Sequence, residues 1–207
     1  MEALTERKLN RFFEELARRI PCRVKIVLTG GSEAMVLGGS RVTGDIDFGV
    51  SIRAKRFWPD VERAIGDAAN VSRVVVQYSA DIDRWSSISV PVRRRRTRLL
   101  RNVGGLAVHV LDPVCWAVYK LARFLESDIE DLCALLRKQS VQPRRLARLC
   151  GDSLKASPRS PALILFRRQV EHFFRKNGRD IWGTQFDPTD AIATFHRAAG
   201  IKGSTRK

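Results

Sequence analysis

The sequence predicts an α/β protein, a mixed sheet of four or five strands with flanking helices, followed by a helical subdomain. Three observations carry this reading. Short β-branched runs bounded by turn residues occur at 24–29, 71–78 and 106–111, and a further strand pattern follows Gly44. Amphipathic helical patterns lie between them. From residue 143 onward the strand pattern gives way to helices separated by small polar breaks. The expected organisation is an α/β core over 1–112, a helical subdomain packed on it over 113–200, and a basic tail over 201–207.

Taken in order, Leu4, Leu9, Phe12, Phe13, Leu16 and Ile20 recur at helical spacing until Pro21 stops the helix. Residues 24–29 form a strand that ends at Gly30-Gly31, where Ser32 is expected to cap a short helix through Leu37. Gly38-Gly39 ends that helix, and the chain re-enters a strand with Asp45-Ile46-Asp47-Phe48-Gly49-Val50. A helix over 57–69, a strand over 71–78 and a connector over 79–85 follow. A basic segment over 93–101 then leads through the turn at 102–105 into the strand 106–111, a hairpin. Asp112-Pro113 opens a helix over 114–125, and Ser127 with Glu130 three residues later reads as a capping box for the next. Helices are expected over 144–155, over 161–176 with Gly178 as its stop, and over 188–199.

The chemistry lies in the second strand. Side chains alternate along a strand, so Asp45 and Asp47 project from one face, Ile46 and Phe48 from the other. Two like charges on one face conflict unless the strand is an edge with solvated acids or a cation reconciles them. Mg²⁺ prefers hard oxygen ligands and is typically held by one or two carboxylates plus substrate phosphates. The Gly30-Gly31 turn, with Ser32, offers backbone N–H groups to those phosphates.

These residues match a known pattern. Gly30-Gly31, a spacer of thirteen residues, then Asp45-Ile46-Asp47 resembles the signature of the DNA polymerase beta-like nucleotidyltransferases. The longer phrase GGSEAMVLGGSRVTGDIDFGV resembles the branch holding the abortive-infection type IV toxin nucleotidyltransferases and their uncharacterised relatives. The resemblance covers roughly residues 22–136. It implies a minimal nucleotidyltransferase core and Mg²⁺ (or Mn²⁺) held by Asp45 and Asp47, with a third acid, Asp81, Asp83 or neither. Asp81 and Asp83 read equally well as turn caps. It further implies Lys120 on the triphosphate and Asp131 orienting Lys120 or a reacting hydroxyl; a salt bridge between helices explains the same pair. Asp128 reads as helix N-terminal chemistry. Glu33 departs from the pattern, since relatives more often carry a small residue beside the phosphates.

Composition addresses partners. Against 22 Asp and Glu stand 38 Lys and Arg, a net charge of +16. Nucleic acid is the natural polyanion for such a chain, although an arginine-rich proteome would drift the same way. Arg93, Arg94, Arg95, Arg96, Arg98 and Arg101 are the nucleic-acid-binding candidates, or a solvated strand face. No apolar run approaches the ~18–20 residues of a membrane span, and the charged N-terminus is unlike a secretory signal. Cys22, Cys115, Cys133 and Cys150 lack metal spacing and read as reduced thiols of a cytoplasmic protein. His109, His172 and His196 stand alone, and Phe166, Phe173 and Phe174 read as core.

The expected function is therefore Mg²⁺-dependent transfer of an NMP from an NTP to a macromolecule, with RNA or tRNA favoured as acceptor over protein. The resemblance adds a toxin–antitoxin or phage-defence role with an antitoxin or toxin partner protein. The alternative is an inactive protein of the same fold that binds RNA or a partner. A DNA-binding regulator would need 143–155 to act as a recognition helix, for which the segment is a poor candidate.

Overall fold

A computed structural model describes residues 3–39, 42–82 and 86–201. The chain divides into two compact units, one of Met1–Arg84 with Thr97–Leu111 and one of Trp85–Arg96 with Asp112–Lys207. The helical unit therefore also takes in the segment just before Thr97.

In the first unit, α1 (Glu6–Arg19) is capped by Thr5, whose hydroxyl accepts the Lys8 N–H at 3.2 Å. β1 (Val24–Thr29) runs directly into α2 (Gly30–Val36), and β2 (Asp45–Ile52) follows. Next come α3 (Trp58–Ser72), β3 (Val75–Ser79), β4 (Thr97–Val103) and β5 (Leu106–Leu111). The five strands make one open mixed sheet in the order β3-β2-β1-β5-β4. β1 pairs antiparallel to β2 and parallel to β5; β2–β3 is parallel and β4–β5 antiparallel.

Register sorts the side chains into two faces. Val24, Ile26 and Leu28 stand beside Ile52, Val50 and Phe48 on one flank and Leu106, Val108 and Val110 on the other. This face is sealed by α1: Phe12 meets Phe48 at 5.9 Å between ring centroids, and Phe48 stacks on Tyr78 at 5.7 Å. The opposite face carries Lys25, Thr29, Asp45, Asp47, Gln77 and His109.

The third strand starts at Val75, four residues later than expected, because α3 continues to Ser72. Ala64, Ile65, Ala68, Ala69 and Ser72 form one buried stripe, and Arg73 closes the helix in the left-handed region at φ 54°. The apolar Val71 belongs to that last turn.

The second unit is built from α4 (Pro113–Arg123), α5 (Glu126–Lys138), α6 (Pro143–Ala156), α7 (Pro161–Trp182) and α8 (Pro188–Ala199). Proline begins four of these helices, where its missing N–H costs nothing. Phe166, Phe173, Phe174 and Phe195 are buried together with Trp116. α6 and α8 touch backbone to backbone: a Cβ on Gly151 would stand 2.5 Å from the Phe195 carbonyl.

Two expected helix ends move. α7 passes through Gly178 and stops at Gly183, because the Phe186 ring lies against Gly178, where a Cβ would come within 2.6 Å of its Cδ1. That glycine makes room rather than ending a helix. The box expected at Ser127 forms two residues earlier: α5 starts at Glu126, and the Asp128 carboxylate accepts the Leu125 N–H at 3.3 Å. Trp182 stacks on Phe174 and donates Nε1–H to the Val141 carbonyl at 2.7 Å. All four cysteines are free, and burial pushes the Cys150 thiol pKa up. No helix among the described residues is long and apolar enough to cross a membrane. Of the basic tail, only Ile201 lies within the described residues.

Candidate functional site

The site is assembled where β1 ends and β2 begins. Thr29 and Asp47 form the last rung of the β1–β2 ladder, so the turn into α2 lies beside the Asp47 side chain. Gly30 has φ 60°, a region that disfavours any residue with a Cβ. A Cβ there would also overlap the Asp47 carboxylate, coming within 3.0 Å of its Cγ. Glycine is thus required twice, once by backbone conformation and once by the acid pressed against it. Gly31 stands close to Thr43, whose Oγ1 would lie 2.6 Å from an added Cβ.

Asp45 is held from two sides. Thr43 Oγ1–H donates to its Oδ1 at 2.9 Å and the Gln77 amide donates to its Oδ2 at 3.0 Å. Both carboxylates are half-buried, while Ile46 and Phe48, on the other face, are fully enclosed. The two acids therefore share one face of β2 in front of the glycine turn.

Ser32 does not cap α2. It is fully buried, and its hydroxyl donates to the Thr29 carbonyl at 3.0 Å and accepts the Asp47 N–H at 3.2 Å. It clips the helix to β2 and is closed off from any ligand. Glu33, in the same turn, is also fully enclosed by protein.

The third acid is not on the neighbouring strand. In the parallel β2–β3 register, the residue abreast of Asp47 is Gln77. Asp81 comes four residues later, past the end of β3 at Ser79. It is exposed, and its N–H donates to the Ser79 hydroxyl at 3.1 Å, the turn role. Asp83 lies outside the described residues. Among those described, no three His, Cys, Asp or Glu side chains gather as a metal site.

A polar chain shares the face of Asp45 and Asp47. Lys25 Nζ donates to Thr97 Oγ1 at 3.2 Å, and that hydroxyl lies 3.3 Å from His109 Nδ1. Burial, followed by the nearby Lys25 charge, holds the His109 pKa below its ordinary value, which favours the neutral imidazole.

In the helical unit, Lys120 is buried and donates to Asp128 Oδ1 at 2.7 Å and Asp131 Oδ2 at 2.9 Å. Arg123 grips the same Asp128 with two bonds, at 2.7 and 2.6 Å. Burial opposes ionisation of Asp128, but the Arg123 and Lys120 bonds outweigh it and hold its pKa below the ordinary value. Lys120 and Asp131 do meet, as a salt bridge inside α4–α5. For Lys120 to reach a triphosphate it would have to abandon two carboxylates.

The arginine run is divided. Arg93, Arg94, Arg95 and Arg96 belong to the helical unit, Arg98 and Arg101 to β4. A bulge between Leu99 and Arg101 places Arg101 beside Val108, on the face that α1 covers, while Arg98, beside Val110, is exposed. Arg101 lies over the Phe13 ring at 5.1 Å, and Arg95 donates to the Val90 carbonyl at 3.3 Å. Arg93, Arg94, Arg96 and Arg98 are exposed, whereas Arg95 and Arg101 are half-buried.

Thr43 and Gln77, which orient Asp45, had no separate signal: Gln77 is placed by strand register alone. A second basic feature was legible but passed over. Arg144, Arg148, Asp152 and Lys155 recur at helical spacing on α6. The chain matches no family model, no curated protein and no solved structure.

Proposed function

We propose that this chain is a Mg²⁺-dependent nucleotidyltransferase that moves an NMP from an NTP to a macromolecular acceptor, with RNA favoured over protein. One observation carries the reading: Asp47 packed against Gly30, with Asp45 beside it on the same strand face.

The donor set suits the ion. Asp45 and Asp47 supply hard oxygens, and carboxylate lone pairs remain after the Thr43 and Gln77 bonds. A site of two carboxylates is completed by substrate phosphates and water, as Mg²⁺ or Mn²⁺ prefers. The bound ion would supply positive charge against the phosphate oxygens. The chain's own part is positional. Thr43 and Gln77 hold Asp45 in one orientation, Ser32 pins the Asp47 backbone, and the bare Gly30-Gly31 backbone lets Asp47 and Thr43 pack against the turn. An acceptor hydroxyl oxygen then bonds to the α-phosphorus, the α–β bridging bond breaks, pyrophosphate leaves, and the hydroxyl proton passes to solvent. Lys120, Asp131 and Ser32 enter this reading as structural groups.

A second reading draws on Gln77. An amide occupies the place abreast of Asp47 where a third acid would complete a stronger metal site, which favours an inactive member of the same fold that binds RNA or a partner protein. Incubation with each α-labelled NTP, Mg²⁺ and total RNA separates the two. Transfer predicts labelled RNA that disappears in Asp45→Asn and Asp47→Asn. If no macromolecule is labelled and calorimetry detects no Mg²⁺-nucleotide binding, the inactive reading replaces it. An antitoxin or toxin partner rests on the sequence resemblance and would appear as a stoichiometric co-purifying protein.

A further inference from the structure

A concave basic surface lies wholly within the helical unit. Its spine is α6, where Arg144, Arg148, Asp152 and Lys155 follow one another at steps of four, four and three and so share one side of the helix. Three hollows of about 450, 570 and 460 Å³ open along that side, and Asp152 lines all of them. Arg94, Arg96 and Arg145 wall the first, Arg93 the second and Arg197 the third. Together the hollows present eight cationic side chains against two carboxylates.

The acids are already matched. Arg145 meets Asp112 at 2.6 Å and Arg94 meets Asp152 at 3.2 Å; Arg144 reaches Asp190 at 3.0 Å. Arg93, Arg96, Arg148 and Lys155 have no ion-pair partner among the described residues. Like charges one helical turn apart, as at Arg144 and Arg148, are unfavourable in the free protein. Gathered in a hollow, they focus the field on an incoming anion.

The lining also says which anion. Among the described residues no aromatic side chain lines any of the hollows, so unpaired bases would find no stacking platform of the kind that single-strand binders use. Arg144 to Lys155 extends about 16 Å along the helix axis. That is room for several phosphates at one charge per ~3.4 Å of strand.

We propose that this surface binds the phosphate backbone of double-stranded nucleic acid, a folded RNA stem or duplex DNA, without reading bases. The inference does not rest on the transfer reading, and its test uses no nucleotide. Fluorescence anisotropy of the full chain with a labelled RNA duplex, a DNA duplex and a single strand, over a salt series, gives affinity and salt slope. The duplexes should bind more tightly than the single strand. A preference between them identifies RNA stem or DNA as the source. The double variant Arg148→Ala/Lys155→Ala should lower the log–log slope by about 0.9 for each lost contact and weaken binding about eight-fold per contact at 0.1 M salt. Arg148→Lys, which keeps the charge, should retain most of the affinity, and melting curves check that each variant is folded. Equal affinity and slope for a folded double variant would overturn the proposal, as would single strand or polyglutamate binding as tightly as duplex.

Discussion

At the scale of single residues, the decisive contact is Gly30 against Asp47. An alanine at Gly30 meets two separate penalties. Holding φ near 60° costs an L-residue roughly 1–2 kcal/mol, and the new Cβ collides with the carboxylate. We expect Gly30→Ala to destabilise the chain by at least ~2 kcal/mol. In a Gly30→Ala/Asp47→Ala double variant the overlap with the carboxylate is removed, leaving the closer packing on the Asp47 Cβ and the backbone cost, so the double variant should lose less than the two single variants added together. Urea titration of the four-protein cycle measures this; strict additivity would mean that the carboxylate does not lie on the glycine. Much of this site was legible in the sequence because it is local: strand parity puts Asp45 and Asp47 on one face, and a glycine pair after a strand marks a turn. The partners of those residues were not legible. Gln77 reaches Asp45 only through the β2–β3 register, and Ser32 meets the Asp47 backbone only because two segments fold together.

At the scale of elements, α4 and α5 are joined by a buried ion cluster rather than by apolar contact alone. Asp128 is fully enclosed and serves Lys120, Arg123 and the first turn of its own helix. Replacing it with Asn leaves Lys120 short of a partner in a dry setting, and breaking such a pair costs about 3–5 kcal/mol. Because Arg123 is half exposed, the lower end is expected, near ~3 kcal/mol at pH 7. The sign with pH follows from the lowered pKa. Stability from the Asp128 charge is fully present above its ordinary value of 3.8 and is lost as pH falls through the depressed one. The gap between wild type and Asp128→Asn in urea titrations should therefore shrink below about pH 4; a gap of constant size from neutral to acid would contradict this. The family resemblance in the sequence already paired Lys120 with Asp131. It could not separate a ligand contact from a bridge, since burial decides between them. Gly178 shows the same limit: its meaning depends on Phe186, eight residues away and folded back against it.

For the whole molecule, the governing quantity is the net charge of +16. Self-repulsion of that size opposes the compact state, and salt screens it. The melting temperature should rise by several degrees between about 0.01 M and about 0.1 M salt, as the screening length shrinks from about 30 to about 10 Å. A flat or falling trace would show that local ion pairs such as Arg145–Asp112, which salt weakens, dominate instead. Composition made this charge plain, but not that the run at 93–101 is divided between the two units. The run changes unit at Thr97, and the bulge turns Arg101, its last member, onto the covered face.

That bulge has one more effect. β4 is an outer strand of the sheet, with Leu99 and Leu100 exposed. The extra residue kinks the ladder and leaves neighbouring copies no straight edge to join. Deleting Leu100 would keep Arg101 on its ring while straightening the strand, and a monomer would acquire a template for stacking into fibrils.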